Sequence, residues 1–105
     1  MSKVQNERIR KMETYLDESG EAIAELSAAL DKYEQIQSKF YKLEDYYSSK
    51  RWMDDFEADE AGRLPADLKR GILSEDAVYD LLTAHRELMA RMQRAVLRCM
   101  EENEF

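Results

Sequence analysis

Apolar residues recur at intervals of three and four through the first half of the chain. The series is Ile9, Met12, Leu16, Ile23, Leu26, Leu30, Tyr33, Ile36, Phe40, Leu43 and Tyr47, with Ser19 filling one slot. This spacing places all of these side chains on one face of an α-helix. The pattern predicts a single long helix over residues 1–48, about 65–70 Å in length from Lys3 onward at about 1.5 Å per residue.

The weakest point of this helix is the pair Ser19–Gly20, because glycine inside a helix costs about 1 kcal/mol relative to alanine. The stripe keeps its phase from Leu16 to Ile23, and no proline follows. We therefore expect a continuous helix. The alternative is a break at Gly20 that folds the N-terminal part back.

A second helix is predicted over residues 74–102. Ser74 is suited to its N-cap, Glu75 and Asp76 to its positively polarised first turn, and Leu73 can pack on Val78 across the cap. Its apolar side carries Val78, Leu81, Leu82, Leu88, Met89, Met92, Val96 and Cys99. The position of Cys99 in this series predicts that the thiol is buried.

Residues 49–73 contain the only proline and the only tryptophan, and we expect a connector of two short helices. Ser49 can cap the first, which carries Trp52 and Phe56 one turn apart, and Gly62 can end it in a left-handed conformation. The second is expected from Pro65 at its first position to Gly71 at its C-cap, since the intervening Lys69 and Arg70 suit a last turn.

These elements define an all-α fold in which the first helix lies antiparallel to the last, joined by two short helices. The first helix is longer than the last by about five turns, at about 3.6 residues per turn, and an apolar stripe of that length is not left in water. The surplus predicts a homo-oligomer, most simply a dimer forming a helical bundle of four long helices.

Composition narrows the function classes. The 105-residue chain is one domain in length and carries a net charge of −7, which argues against direct binding to nucleic-acid phosphates. No apolar run reaches the roughly 18 residues of a membrane span, and the N-terminus lacks the apolar core of a secretory signal. With a single cysteine no internal disulfide forms, so we expect a cytoplasmic protein without a membrane association.

Asp59 and Glu60 lie in the last turn before Gly62, where the helix dipole disfavours carboxylates by about 0.3–1 kcal/mol. We expect local salt bridges to Arg63, Lys69 or Arg70. The alternative is that an external cation or a basic partner compensates the two charges.

Aromatic and charged residues around the first short helix form the candidate interaction surface. Its members are Tyr46, Tyr47, Trp52, Asp55, Phe56, Glu57, Asp59, Glu60, Lys69 and Arg70. Aromatic residues ringed by charge are typical of protein interfaces, and the same residues could equally cap the protein's own core. No catalytic residue, cofactor site or metal site is predicted.

The same region resembles a family of small bacterial proteins, about 100 residues long, that are known only as a domain of unknown function. The resemblance covers most of the chain and rests on residues 43–47 (LEDYY), Trp52, 55–59 (DFEAD), 64–65 (LP), 68–71 (LKRG) and 73–76 (LSED). It implies a helical fold and a bacterial cytoplasmic origin, and no chemistry.

Three functions are compatible with these observations. The first is a protein–protein interaction or assembly module with no catalysis, bound to an unidentified protein or to a second copy. The second is a Mg²⁺-dependent all-helical nucleotide phosphohydrolase, because Glu57 with Glu60 and Asp76 with Asp80 place carboxylates at helical spacing. The third is an acidic inhibitor of a nucleic-acid-binding protein, of the kind encoded by some phages, which the net charge permits.

Overall fold

The structure, a computed structural model, describes residues 2–102, and all secondary structure in this range is helical. Helix α1 spans Lys3–Tyr47, α2 spans Lys50–Glu60, a 3₁₀ turn spans Gly71–Leu73 and α3 spans Glu75–Glu102. The chain divides into two compact units, one ending at Tyr41 and one beginning at Lys42. The predicted all-α class is confirmed.

Helix α1 is continuous through Gly20, as the unbroken phase of the stripe predicts. At its N-terminus the backbone N–H of Gln5 donates to the Ser2 hydroxyl oxygen at 3.1 Å, which satisfies one of the free donors of the first turn. A Cβ placed on Gly20 would meet no atom within 4 Å. The glycine therefore interrupts neither the helix nor any packing within the described residues.

Helix α2 begins and ends where its capping residues predict. The Ser49 hydroxyl oxygen accepts the backbone N–H of Trp52 at 3.3 Å, and the hydroxyl donates to the Tyr46 carbonyl at 2.6 Å. At the other end Gly62 has φ of +69°, the left-handed conformation that glycine adopts without strain. The N–H of Arg63 then reaches the Ala58 carbonyl at 3.0 Å and closes the helix.

The prediction of a second short helix from Pro65 to Gly71 is wrong. The segment makes a single turn, in which Leu68 N–H donates to the Pro65 carbonyl at 3.2 Å, and helical hydrogen bonding starts only at the 3₁₀ turn. Gly71 opens that turn instead of ending a helix, and its φ is not positive. A segment this short has little helical preference of its own, so tertiary contacts at Arg70 and Ile72 determine its path.

Helix α3 starts at the predicted cap. The Ser74 hydroxyl oxygen accepts the backbone N–H of Ala77 at 3.3 Å, with Glu75 and Asp76 in the first turn. Leu73 and Val78, on either side of the cap, are both buried, as a hydrophobic staple requires. Together with Trp52 they form the core of the second unit.

The prediction that Cys99 is buried is wrong, because the thiol is exposed. Every described residue of α3 beyond Met92 is exposed. The stripe identifies which face of a helix is apolar, and it does not show whether another element covers that face.

Candidate functional site

Three of the four aromatic members of the candidate surface form one cluster in the second unit. The rings of Trp52 and Phe56 stack at 5.2 Å between centroids, and Tyr47 packs edge-on against Trp52 at 5.1 Å. The Trp52 Nε1–H donates to the Ile72 carbonyl at 2.9 Å, and the residue is only 4% exposed. Trp52 therefore joins α2 to the 3₁₀ turn from inside the core, whereas Tyr47 and Phe56 are half-buried.

Tyr46 and Asp55 connect the end of α1 to α2. The Tyr46 hydroxyl donates to Asp55 Oδ2 at 2.5 Å. Partial burial of the phenol, followed by the hydrogen bond and the negative charge of Asp55, raises the pKa of Tyr46 from 10.0 to about 12. The phenol therefore stays a neutral donor at pH values above 10, where an ordinary tyrosine ionises.

Asp59 forms one of the local salt bridges predicted from the sequence, and its partner is Arg70. Arg70 Nη1 lies 2.8 Å from Asp59 Oδ1, with the two side chains 36% and 26% exposed respectively. The pair crosses eleven residues and ties the connector to the C-terminal end of α2. Arg70 therefore offsets the unfavourable interaction between Asp59 and the negative end of the helix dipole.

A shallow polar groove lies beside this ion pair. It is lined by Phe56, Asp59, Glu60, Arg70, Leu73, Ser74, Glu75 and Asp76. Within residues 2–102 no three His, Cys, Asp or Glu side chains are grouped closely enough to hold a metal ion. Of the carboxylates singled out for a phosphohydrolase, Glu60 and Asp76 line the groove, whereas Glu57 and Asp80 do not.

A second, apolar groove of about 350 Å³ joins the end of α1 to the start of α3. It is lined by Leu43, Lys69, Gly71, Ile72, Ala77, Val78 and Leu81. Lys69 lines this groove, whereas Asp59 and Arg70 line the polar groove, although all three belong to the same candidate surface. The remaining members Asp55, Glu57 and Glu60 are exposed charges on α2.

The first unit presents a different surface, the exposed part of the α1 stripe, which we call the α1 seam. It consists of Ile9, Met12, Leu16, Ile23, Leu26 and Leu30, which are between 41% and 68% exposed. The candidate surface drawn from the sequence omits these residues. Their three- and four-residue spacing marks an apolar helix face in the sequence. The structure adds that no other element of the first unit covers this face.

The fold and these surfaces define a small helical protein whose second unit has a small core and whose first unit has an uncovered apolar helix face. A family model described as a domain of unknown function (DUF4298) matches residues 9–95, and the chain belongs to this family. The match confirms the resemblance noted in residues 43–76. No curated protein and no solved structure matches the chain.

Within residues 2–102 no helix is both long enough and apolar enough to cross a membrane.

Proposed function

We propose that this protein is a cytoplasmic assembly module, which acts through protein–protein contact and carries out no catalysis. The α1 seam carries this proposal, because it exposes six large apolar side chains on one face of one helix. Burying a side chain of this size is worth about 1.5–3 kcal/mol. A contiguous apolar face of this kind is typical of a surface that another protein covers.

The stability of α1 supports the same conclusion. Most helical stability in proteins comes from packing of an apolar face, and helices without such packing are marginal in water. Between Asn6 and Lys32 every residue of α1 is exposed. A binding partner on the seam supplies the packing that this stretch otherwise lacks.

The proposed assembly keeps α1 antiparallel to α3 and completes a four-helix bundle with a second copy. The apolar groove supports this arrangement, because Leu43 of α1 and Val78 and Leu81 of α3 line it together.

Site-specific photo-crosslinking in living cells tests whether the seam meets another protein. The crosslinking residue replaces Leu26 on the seam or, as the control, Ala28, which lies two residues away and about 200° around the helix. Crosslinked protein from position 26 and none from position 28 is the expected result. Equal yields from the two positions, or no adduct from either, would show that the seam is not a binding surface.

A further inference from the structure

We infer that the partner of the α1 seam is the α1 seam of a second copy, paired as a parallel, in-register two-stranded coiled coil over residues 9–33. The inference rests on the proposed assembly function and adds to it the identity, orientation and register of the partner. Three features of α1 support it: an exact seven-residue repeat, the charges beside the repeat, and the position of the single polar residue within it.

The repeat is strict. Ile9, Leu16, Ile23 and Leu30 follow one another at intervals of seven, and Met12, Ser19, Leu26 and Tyr33 each lie three residues further on. These are the a and d positions of a coiled coil, and a repeat of 3.5 residues per turn keeps them facing a partner helix along the whole stretch. In-register pairing covers all eight positions in both copies, so no exposed part of the seam is left unpaired.

The charges beside the seam select the parallel orientation. Through residue 33 the positions flanking the seam, g and e, carry one charge each, Arg8 at g and Glu13 at e. In a parallel pair, residue g faces residue e of the partner, which lies five positions later in the sequence. Arg8 of each copy therefore faces Glu13 of the other copy, which gives two equivalent ion pairs. In an antiparallel pair g faces g and e faces e, and Arg8 and Glu13 lie on opposite sides of the seam.

The acidic stretch of α1 does not oppose this arrangement. Between residues 13 and 31 all acidic side chains other than Glu13 occupy positions that point away from a partner, namely Asp17, Glu18, Glu21, Glu25 and Asp31. Charges on the outer face of a two-stranded pair are solvated and screened. The flanking positions in the middle of the seam are instead small, Gly20, Ala22, Ser27 and Ala29, and let the two helices approach closely.

Ser19 fixes the register. It is the one polar residue among the eight, and parallel in-register pairing places its hydroxyl opposite the hydroxyl of the second copy, where each can satisfy the other. In an antiparallel pair a d position faces an a position of the partner, so Ser19 would lie opposite an apolar residue such as Leu16 or Ile23. A buried polar residue at a seam position is a known determinant of register.

Disulfide exchange between two variants tests the orientation. Both carry Cys99→Ser, and one adds Ile9→Cys while the other adds Leu30→Cys, with a mass tag on one of them. In the parallel pair positions 9 and 30 of different copies are about 31 Å apart, whereas each position faces its own counterpart. In a glutathione redox buffer we expect 9–9 and 30–30 disulfides in the mixture, several-fold above a Cys99→Ser, Ala28→Cys control, and almost no 9–30 disulfide.

A mixed 9–30 disulfide as the main product would overturn the parallel orientation. Disulfide yields no higher than those of the Ala28→Cys control would show that a second copy does not occupy the seam, provided that the Trp52 emission of each variant matches that of the wild type and so reports a folded second unit. If the full chain is then monomeric while position 26 still crosslinks to a different protein, the assembly function stands and the self-pairing fails.

Discussion

The Tyr46 hydroxyl donates a hydrogen bond of 2.5 Å to Asp55 Oδ2 and so joins the last turn of α1 to the middle of α2. Tyr46→Phe removes this bond and little else, and we expect it to lower the free energy of unfolding by about 0.5–1.5 kcal/mol near neutral pH. Chemical denaturation followed by the emission of Trp52, the only tryptophan, measures the change. Tyr79→Phe is the control, because this tyrosine is 63% exposed.

The same bond predicts a pH dependence. The pKa of Tyr46 is raised from 10.0 to about 12 in the folded protein, so the folded state favours the neutral phenol. Its contribution to stability is therefore complete below about pH 10 and is lost as the pH rises towards 12. In a tyrosinate absorbance titration, the difference between wild type and Tyr46→Phe should titrate near pH 12, and a difference centred at pH 10 would contradict the bond.

The ion pair between Asp59 and Arg70 predicts different effects for two neighbouring carboxylates. Asp59→Asn should lower stability by up to about 1 kcal/mol, because the pair is partly exposed and screened. Glu60→Gln, one residue further along the same helix end, is the control and should change stability less.

The double variant Asp59→Asn, Glu60→Gln separates this structural role from metal binding. Mg²⁺ or Mn²⁺ should not shift the melting temperature of the wild type, since hard cations require several converging oxygen ligands. A saturable rise at micromolar metal that the double substitution abolishes would show a cation site, because a ligand of the folded state alone stabilises by mass action.

Two glycines with different backbone conformations provide a matched pair. Gly62→Ala forces a side chain into a left-handed conformation and should cost about 1 kcal/mol. Gly71→Ala should be nearly neutral, because its φ is not positive and an added Cβ meets nothing within 4 Å. Thermal denaturation of the two variants decides, and equal losses of stability would contradict the assigned conformations.

Gly20 tests the continuity of α1. Gly20→Ala should raise helicity and stability by about 0.5–1 kcal/mol, because the Cβ enters open space in a regular helix. Gly20→Pro should cost about 3 kcal/mol or more and reduce the circular dichroism at 222 nm. A proline variant with unchanged helicity would mean that the helix already breaks at this point.

Helix boundaries could be predicted from the sequence wherever a single residue sets them locally. Ser49, Gly62 and Ser74 act through hydrogen bonds or φ angles within three to five residues of their own position. The path from Pro65 to Gly71 could not be predicted in the same way. It depends on the hydrogen bond of Trp52 to Ile72, twenty residues along the chain.

The candidate site shows the same division between local and tertiary information. The pairing of Asp59 with a nearby cation followed from the unfavourable dipole, and the structure identifies that cation as Arg70. The burial of Trp52 could not be predicted, because a ring on an apolar helix face is compatible with both a core and an interface.

Sedimentation equilibrium of the full chain at micromolar concentration tests the central claim, that the α1 seam is an assembly surface for a second copy. We expect the wild type and Ala28→Glu to sediment at twice the monomer mass of 12.4 kDa. Leu26→Glu should sediment as a monomer, because it places the same charge on the seam. A wild type that remains at 12.4 kDa, or a Leu26→Glu variant that dimerises as the wild type does, would contradict the account.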